Sequence, residues 1–234
     1  MSLQPLFERA SIWRGGELPA AVGDGIPTGY PLLDGLLPGG GWPRAALSEI
    51  LAPEGAGALS LLMPALSALS REDRWLAMVA PPLQIYAPAL AAHGIDLSRL
   101  LCIRPGSERE HLWALEQALR SGACAAVLSW FARPPVTHLR RLQLAATSGD
   151  CAVFLFYPPQ KEAQSTPAAL RLSLAPGRTG PQVRILKRRG GWPCGPVSLE
   201  PNHPDHAVAR TTPAAAAAGS AYPRQRAAGA FGRH

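Results

Sequence analysis

From Ile26 to Leu186 short apolar runs alternate with stretches of helical period. Leu47 to Leu51 predicts a strand, a Gly-bearing turn follows at 53–57, and Leu59 to Ser70 predicts a helix kinked at Pro64. Trp75 to Ala80 reads as a strand, Gln84 to His93 as a helix capped by Gly94, and Leu100 to Ile103 as a strand. Ser107 and Glu110 have the spacing of a capping box. They open a helix whose buried stripe is Leu112, Leu115 and Leu119, and Gly122 ends it. Ala123 to Leu128 is a strand, Val136 to Thr147 a helix carrying Arg140 and Arg141, and Ala152 to Tyr157 a strand. Leu170 to Leu174 and Val183 to Leu186 are further strands with alternating Arg, a pattern expected near a sheet edge.

Strand–helix alternation predicts an α/β core with a mostly parallel central sheet flanked by helices. The last strands follow one another after short turns and are expected to be antiparallel, at the C-terminal edge. Three regions follow: 1–25, an amphipathic helix and linker; 26–200, the α/β core; and 201–234, a disordered basic tail. The N-terminal helix has one apolar face at Leu3, Leu6, Phe7, Ala10 and Trp13. It either packs on its own core or docks on a neighbour.

Charge sharpens this division. The net charge is +7, yet residues 1–175 hold 14 basic and 14 acidic side chains. The excess is C-terminal, beginning with Arg178, Arg184, Lys187, Arg188 and Arg189. A neutral body with a basic end is either a folded core with an anion-seeking terminus or a core with a solvated charge run. With 234 residues and 47% hydrophobic composition the chain can bury a core unaided. No apolar run reaches the ~20 residues of a membrane span. Glu8 and Arg9 interrupt the place of a signal peptide's apolar stretch. Cys102, Cys124, Cys151 and Cys194 show no CxxC, and three lie in apolar runs, so buried reduced thiols of a cytoplasmic protein are expected. His203-Pro204-Asp205-His206 has metal-like residue types but no second ligand pair, and no metal site is assigned.

The first strand–turn–helix of such a fold is where a phosphate would sit. Here the turn reads Ala52-Pro53-Glu54-Gly55-Ala56-Gly57-Ala58-Leu59. Against G-x-x-x-x-G-K-[ST], Gly57 fits the second glycine, Ala58 stands where the Lys belongs, and Leu59 stands where the metal-binding hydroxyl belongs. Gly55, Gly57 and Ala58 thus mark a degenerate phosphate loop.

The stretch GIPTGYPLLDGLLPGGGWPRAALSEILAPEGAG resembles the entry to the RecA core, with Thr28-Gly29, Leu33-Asp34 and Gly40-Gly41-Trp42-Pro43 in the turn positions. LFERASIWRGG, AMVAPPLQIYAPALAAHGID, LFYPPQ, PAALRLSL and VRILKRRGG resemble, in order, the ImuA family of RecA-like accessory proteins of bacterial mutagenic repair. The resemblance covers about residues 6–199. It implies that Pro82 stands at the place of the water-activating Glu, Ser129 and Trp130 at that of the Walker B Asp, and Tyr157 and Pro158 at that of the sensor pair. Phosphoryl transfer is positioning plus charge stabilisation, so a chain lacking Lys, metal ligand and base is expected to be no enzyme and to need no cofactor.

The resemblance further implies an SOS-induced adaptor in error-prone translesion DNA synthesis. Its partners would be ImuB, the error-prone replicative-type DNA polymerase and RecA, with no membrane association. Rival readings are a SulA-like cell-division inhibitor and a divergent active RecA-like ATPase. Arg133, Arg140, Arg141, Lys187, Arg188 and Arg189 are the candidate contacts to weakly held DNA or to an acidic partner. Lys187 to Trp192 pairs charge with an aromatic, as single-strand binders do, and reads equally as a solvated edge turn. Leu6, Phe7, Ala10 and Trp13 form the candidate partner-docking helix.

Overall fold

The apolar runs of the body become strands β1 (Leu47–Leu51), β2 (Trp75–Val79), β3 (Leu100–Ile103), β4 (Cys124–Trp130) and β5 (Ala152–Tyr157). They are followed by β6 (Leu170–Pro176), β7 (Pro181–Arg188) and β8 (Cys194–Ser198). The helices are α1 (Pro31–Asp34), α2 (Ala58–Leu69), α3 (Ala87–Ala92), α4 (Glu108–Arg120) and α5 (Val136–Ser148). These elements come from a computed structural model that describes residues 24–131, 136–159, 166–177 and 180–200.

One sheet runs in the order β3-β2-β4-β5-β1-β6-β7-β8. Pairings from β3 through β6 are parallel, and β6–β7 and β7–β8 are antiparallel. This is the expected α/β core with an antiparallel C-terminal edge. Every residue of β1 and β5 is buried, because both strands lie inside the sheet with helices on each face. Leu61, Leu62, Leu66 and Leu69 of α2 and Leu90 of α3 pack on one face with Ile50, Met78, Leu128 and Phe154. Leu115 and Leu119 of α4 and Leu139 and Leu142 of α5 pack on the other with Leu47, Val79, Val127 and Leu155.

The entry turn is held by local chemistry. Thr28 donates its N–H to Asp34 Oδ1 at 2.8 Å, and Ile26 exchanges backbone bonds with Trp42 at 2.9 and 2.7 Å. Trp42 is fully buried, edge-on to Phe154 at 5.5 Å. Gly29 has φ +84°, and a Cβ there would lie 2.4 Å from Cβ of Pro64 inside α2. The Thr-Gly pair is therefore a seat for the second helix.

Several expectations need correction. The helix expected from Gln84 begins at Ala87, because Pro88 has no N–H to give and fits only in a first turn; Leu83 and Tyr86 are left exposed. The buried stripe of α4 is His111, Leu115 and Leu119, with Leu112 only half-buried. Its Ser107 accepts from the N–H of Glu110, but Glu110 reaches back to the N–H of Gly106 rather than of Ser107. Strand β8, Cys-Gly-Pro-Val-Ser, was not foreseen, since Gly and Pro argue against strand and it buries little. Cys102 is exposed on the edge strand β3, whereas Cys124 and Cys151 are buried as expected. Arg171 is not an edge residue; it is buried beside β1. Among the described residues no helix is long and apolar enough to cross a membrane. The proposed N-terminal helix and basic tail lie outside the described residues.

Candidate functional site

The parallel strands end together at the turn after β1. There the Ala52 N–H donates to the carbonyl of Tyr157 at 2.9 Å, and the Ala56 N–H closes a turn on Pro53 at 3.1 Å. Gly55 and Gly57 both have left-handed φ, +75° and +77°, and Gly57 is the N-cap of α2. The two glycines therefore bend the backbone sharply between β1 and α2. Ala52, Ala56, Ala58 and Leu59 pack inward against the apolar core together with Trp130. Ala58 presents a methyl group where a cation would neutralise phosphate charge.

The neighbouring strand ends are equally occupied. Trp130, at the end of β4, stacks on Phe156 of β5 with centroids 4.7 Å apart. Ser129 points to the opposite face and is fully buried. Its hydroxyl donates to the carbonyl of Val79 at 3.2 Å and lies 2.6 Å from Nε2 of His111. Because Ser129 spends its only proton on Val79, His111 must donate from Nε2. His111 also stacks on Phe131 at 4.1 Å. Burial holds its pKa below the ordinary value, against the pull of Glu108, so the ring is a neutral strut tying α4 to β4 and β2. A serine with no exposed surface and a committed proton is no nucleophile. Pro82 and Pro158 are exposed in the loops beyond β2 and β5.

A second polar group was missed by sequence reasoning. Glu49, in the middle of β1, is buried and accepts from the Thr166 hydroxyl at 2.7 Å. Arg171 of β6 places Nε 3.4 Å from its other oxygen. Lys187 of β7 donates to the carbonyl of Thr166. Burial raises the Glu49 pKa, although Thr166, Arg171 and Lys187 all favour its charged form. Burial lowers Lys187, and burial plus the nearby Glu49 carboxylate raises Tyr157 well above its usual range. The signal was in the sequence: a carboxylate inside the apolar run LSEIL needs a buried partner, and Arg171 in LRLSL supplies it.

The basic candidates separate on inspection. Lys187 faces the Glu49 network, and Arg188 ties the carbonyls of Leu36 and Trp192 together, so neither is a free surface charge. Arg189 is exposed beside Trp192, which is 80% exposed. Arg140 is exposed; Arg141 pairs with Glu116 of α4 at 2.7 Å. The structure thus splits these residues between the end of β7 and helix α5. Arg133 and the helix residues Leu6, Phe7, Ala10 and Trp13 lie outside the described residues. No group of three or more metal-ligating side chains is found among the described residues.

Comparison with known proteins adds a family context. The family model described as "Cell division inhibitor SulA" matches residues 46–153. Protein ImuA of Caulobacter vibrioides is 28% identical over 207 residues, covering 76% of this chain and 85% of the relative. The cell division inhibitor SulA of Edwardsiella piscicida is 33% identical over 125 residues, covering 50% of this chain and 73% of the relative. The crystal structure of SulA from Pseudomonas aeruginosa is 30% identical, with TM-score 0.43, covering 50% of this chain and 100% of that one.

Proposed function

Taking as premise that the chain belongs to the family of SulA and ImuA proteins, we propose that it is a non-catalytic accessory protein of translesion DNA synthesis. The observation that carries the ImuA side of the family is extent: that likeness runs through most of both chains, well beyond the SulA-matched region. The turn after β1 supports a role without nucleotide chemistry, since half-buried Ala58 and Leu59 lie against the core where a lysine and a metal-binding hydroxyl would be needed. In this reading the RecA-like body is a scaffold. It acts in SOS-induced, error-prone synthesis by joining an ImuB-like polymerase relative, the error-prone replicative-type polymerase and RecA. The segment holding Leu6, Phe7, Ala10 and Trp13 serves as its docking helix.

The test is co-purification of the tagged chain from DNA-damaged cells with identification of bound proteins. Recovery of the polymerase relative or RecA, in damaged but not undamaged cells, is expected. Recovery of neither overturns the proposal.

The match of the SulA model to residues 46–153 favours a second reading, inhibition of cell division. Purified chain that arrests polymerisation of the division GTPase, with filamentous cells on overexpression, would establish it instead.

A further inference from the structure

Helices α4 and α5 run side by side over one face of the sheet, with Arg109, Arg120, Arg140 and Arg141 set against Glu108, Glu110 and Glu116. On α4 the positions Arg109, Trp113, Glu116 and Arg120 follow at i, i+4, i+7 and i+11, one continuous stripe. On α5 Thr137, Arg141, Leu144 and Ser148 repeat the same spacing. The Arg141–Glu116 pair at 2.7 Å joins the stripes across the line between the two helices, the α4–α5 furrow. Glu116 is already neutralised twice, since Arg120 also contacts it at 2.9 Å. At the C-terminal end the helices meet backbone to backbone: a Cβ on Gly149 would lie 1.8 Å from the carbonyl oxygen of Leu119.

Two large apolar side chains stand on this furrow without cover. Trp113 is 64% exposed and Leu144 is 69% exposed, on opposite walls. Around them Arg109, Arg120, Arg140 and Arg141 are all exposed. Tryptophan and arginine are the residue types that dominate binding hot spots, and Leu144 adds apolar area beside them.

We propose that the α4–α5 furrow docks an acidic amphipathic peptide segment of a partner protein, its apolar side chains on Trp113 and Leu144 and its carboxylates on the surrounding arginines. Along the two stripes Arg109, Arg120 and Arg141 outnumber Glu116, and that positive excess selects acidity. The two anchors on separate walls select a peptide over a phosphate backbone, which has nothing to set on Leu144. Guanidinium groups held by Glu116 keep further N–H donors for incoming carboxylates. The inference gives the adaptor reading a surface and rests on that reading only for the partner's existence.

The test is fluorescence anisotropy with the full chain and two probes. One is a fluorescein-labelled helical peptide with Glu and Asp on one face and Leu and Phe at i, i+4 on the other; the second is fluorescein-labelled oligo(dT). The peptide is expected to bind, less tightly as salt rises, and to lose roughly tenfold or more in affinity in each of Trp113→Ala, Leu144→Asp and Arg140→Glu. Unchanged melting temperatures of these surface variants show that they fold. Absence of peptide binding, or binding indifferent to all three variants, overturns the proposal. Oligo(dT) binding that exceeds the peptide's and is lost in the same variants overturns it in favour of nucleic acid. A failed peptide leaves the co-purification result standing, and failed co-purification leaves the peptide result standing, so the two readings fall separately.

Discussion

The carboxylate of Glu49 accepts a 2.7 Å hydrogen bond from the hydroxyl of Thr166, which lies 117 residues further along the chain. The pair draws Arg171 and Lys187 into the interior beside β1 and fixes the start of β6. Removing one member of a buried ion pair strands the other without water. Glu49→Leu should therefore cost about 3–5 kcal/mol in urea unfolding. Glu49→Leu combined with Arg171→Met should recover much of that loss. Equal costs for the single and double variants would refute the coupling.

Acid should weaken the fold through His111. Its pKa is lowered from 6.5 in the folded chain, so as pH falls through that value the unfolded chain takes up a proton that the folded one refuses. Stability is then lost from about pH 6.5 downward, until the lowered pKa is reached. Glu49 acts with the opposite sign: its raised pKa contributes stability below 4.5 that is lost as pH rises through the folded value. His111→Gln keeps an N–H for Ser129 and removes the titration. Urea midpoints against pH for the two chains should converge in acid and diverge towards neutrality; parallel curves would sink the assignment.

Restoring a lysine to the turn should not restore chemistry. Ala58→Lys places a cation in the first turn of α2, at the positive end of the helix dipole, at a cost of about 0.3–1 kcal/mol. Ser129, Trp130 and Pro82 still occupy the strand ends. Phosphate release from ATP is expected at background in both the natural chain and the variant. Metal-dependent release that persists through further purification would show the degenerate reading to be wrong.

Gly29→Ala should be disproportionately harmful for a single methyl. It combines left-handed backbone, about 1–2 kcal/mol for an L side chain, with a collision against Pro64. A loss of about 2 kcal/mol or more is expected by chemical unfolding. Gly55→Ala, with the same sign of φ but open space around it, should lose less. Equal losses would mean that contact with Pro64 contributes nothing.

The sheet was legible because its strands are apolar on both faces, as in LSEIL and AVFLFY, and because helical period separates them. Strand β8 was not, since Cys-Gly-Pro-Val-Ser has no burial pattern of its own and is a strand only because β7 offers it an edge. The turn after β1 was legible because Gly55 and Gly57, both with left-handed φ, punctuate it locally. The Glu49 network was legible only as a carboxylate in LSEIL that needs a buried partner, and the His111–Ser129 pair not at all, because each joins separate segments through contacts that no local period encodes. The basic residues show the same limit from the other side. Lys187 and Arg188 look like surface charge in the sequence, yet one donates to the carbonyl of Thr166 and the other bridges two carbonyls.

The close seating of Gly149 on Leu119 gives the α4–α5 furrow a fixed gauge. Side chains can change rotamer to suit a ligand, but two backbones in contact cannot be drawn together further, and they part only if Gly149 leaves its seat. A segment that docks there meets two helix ends whose spacing is already set.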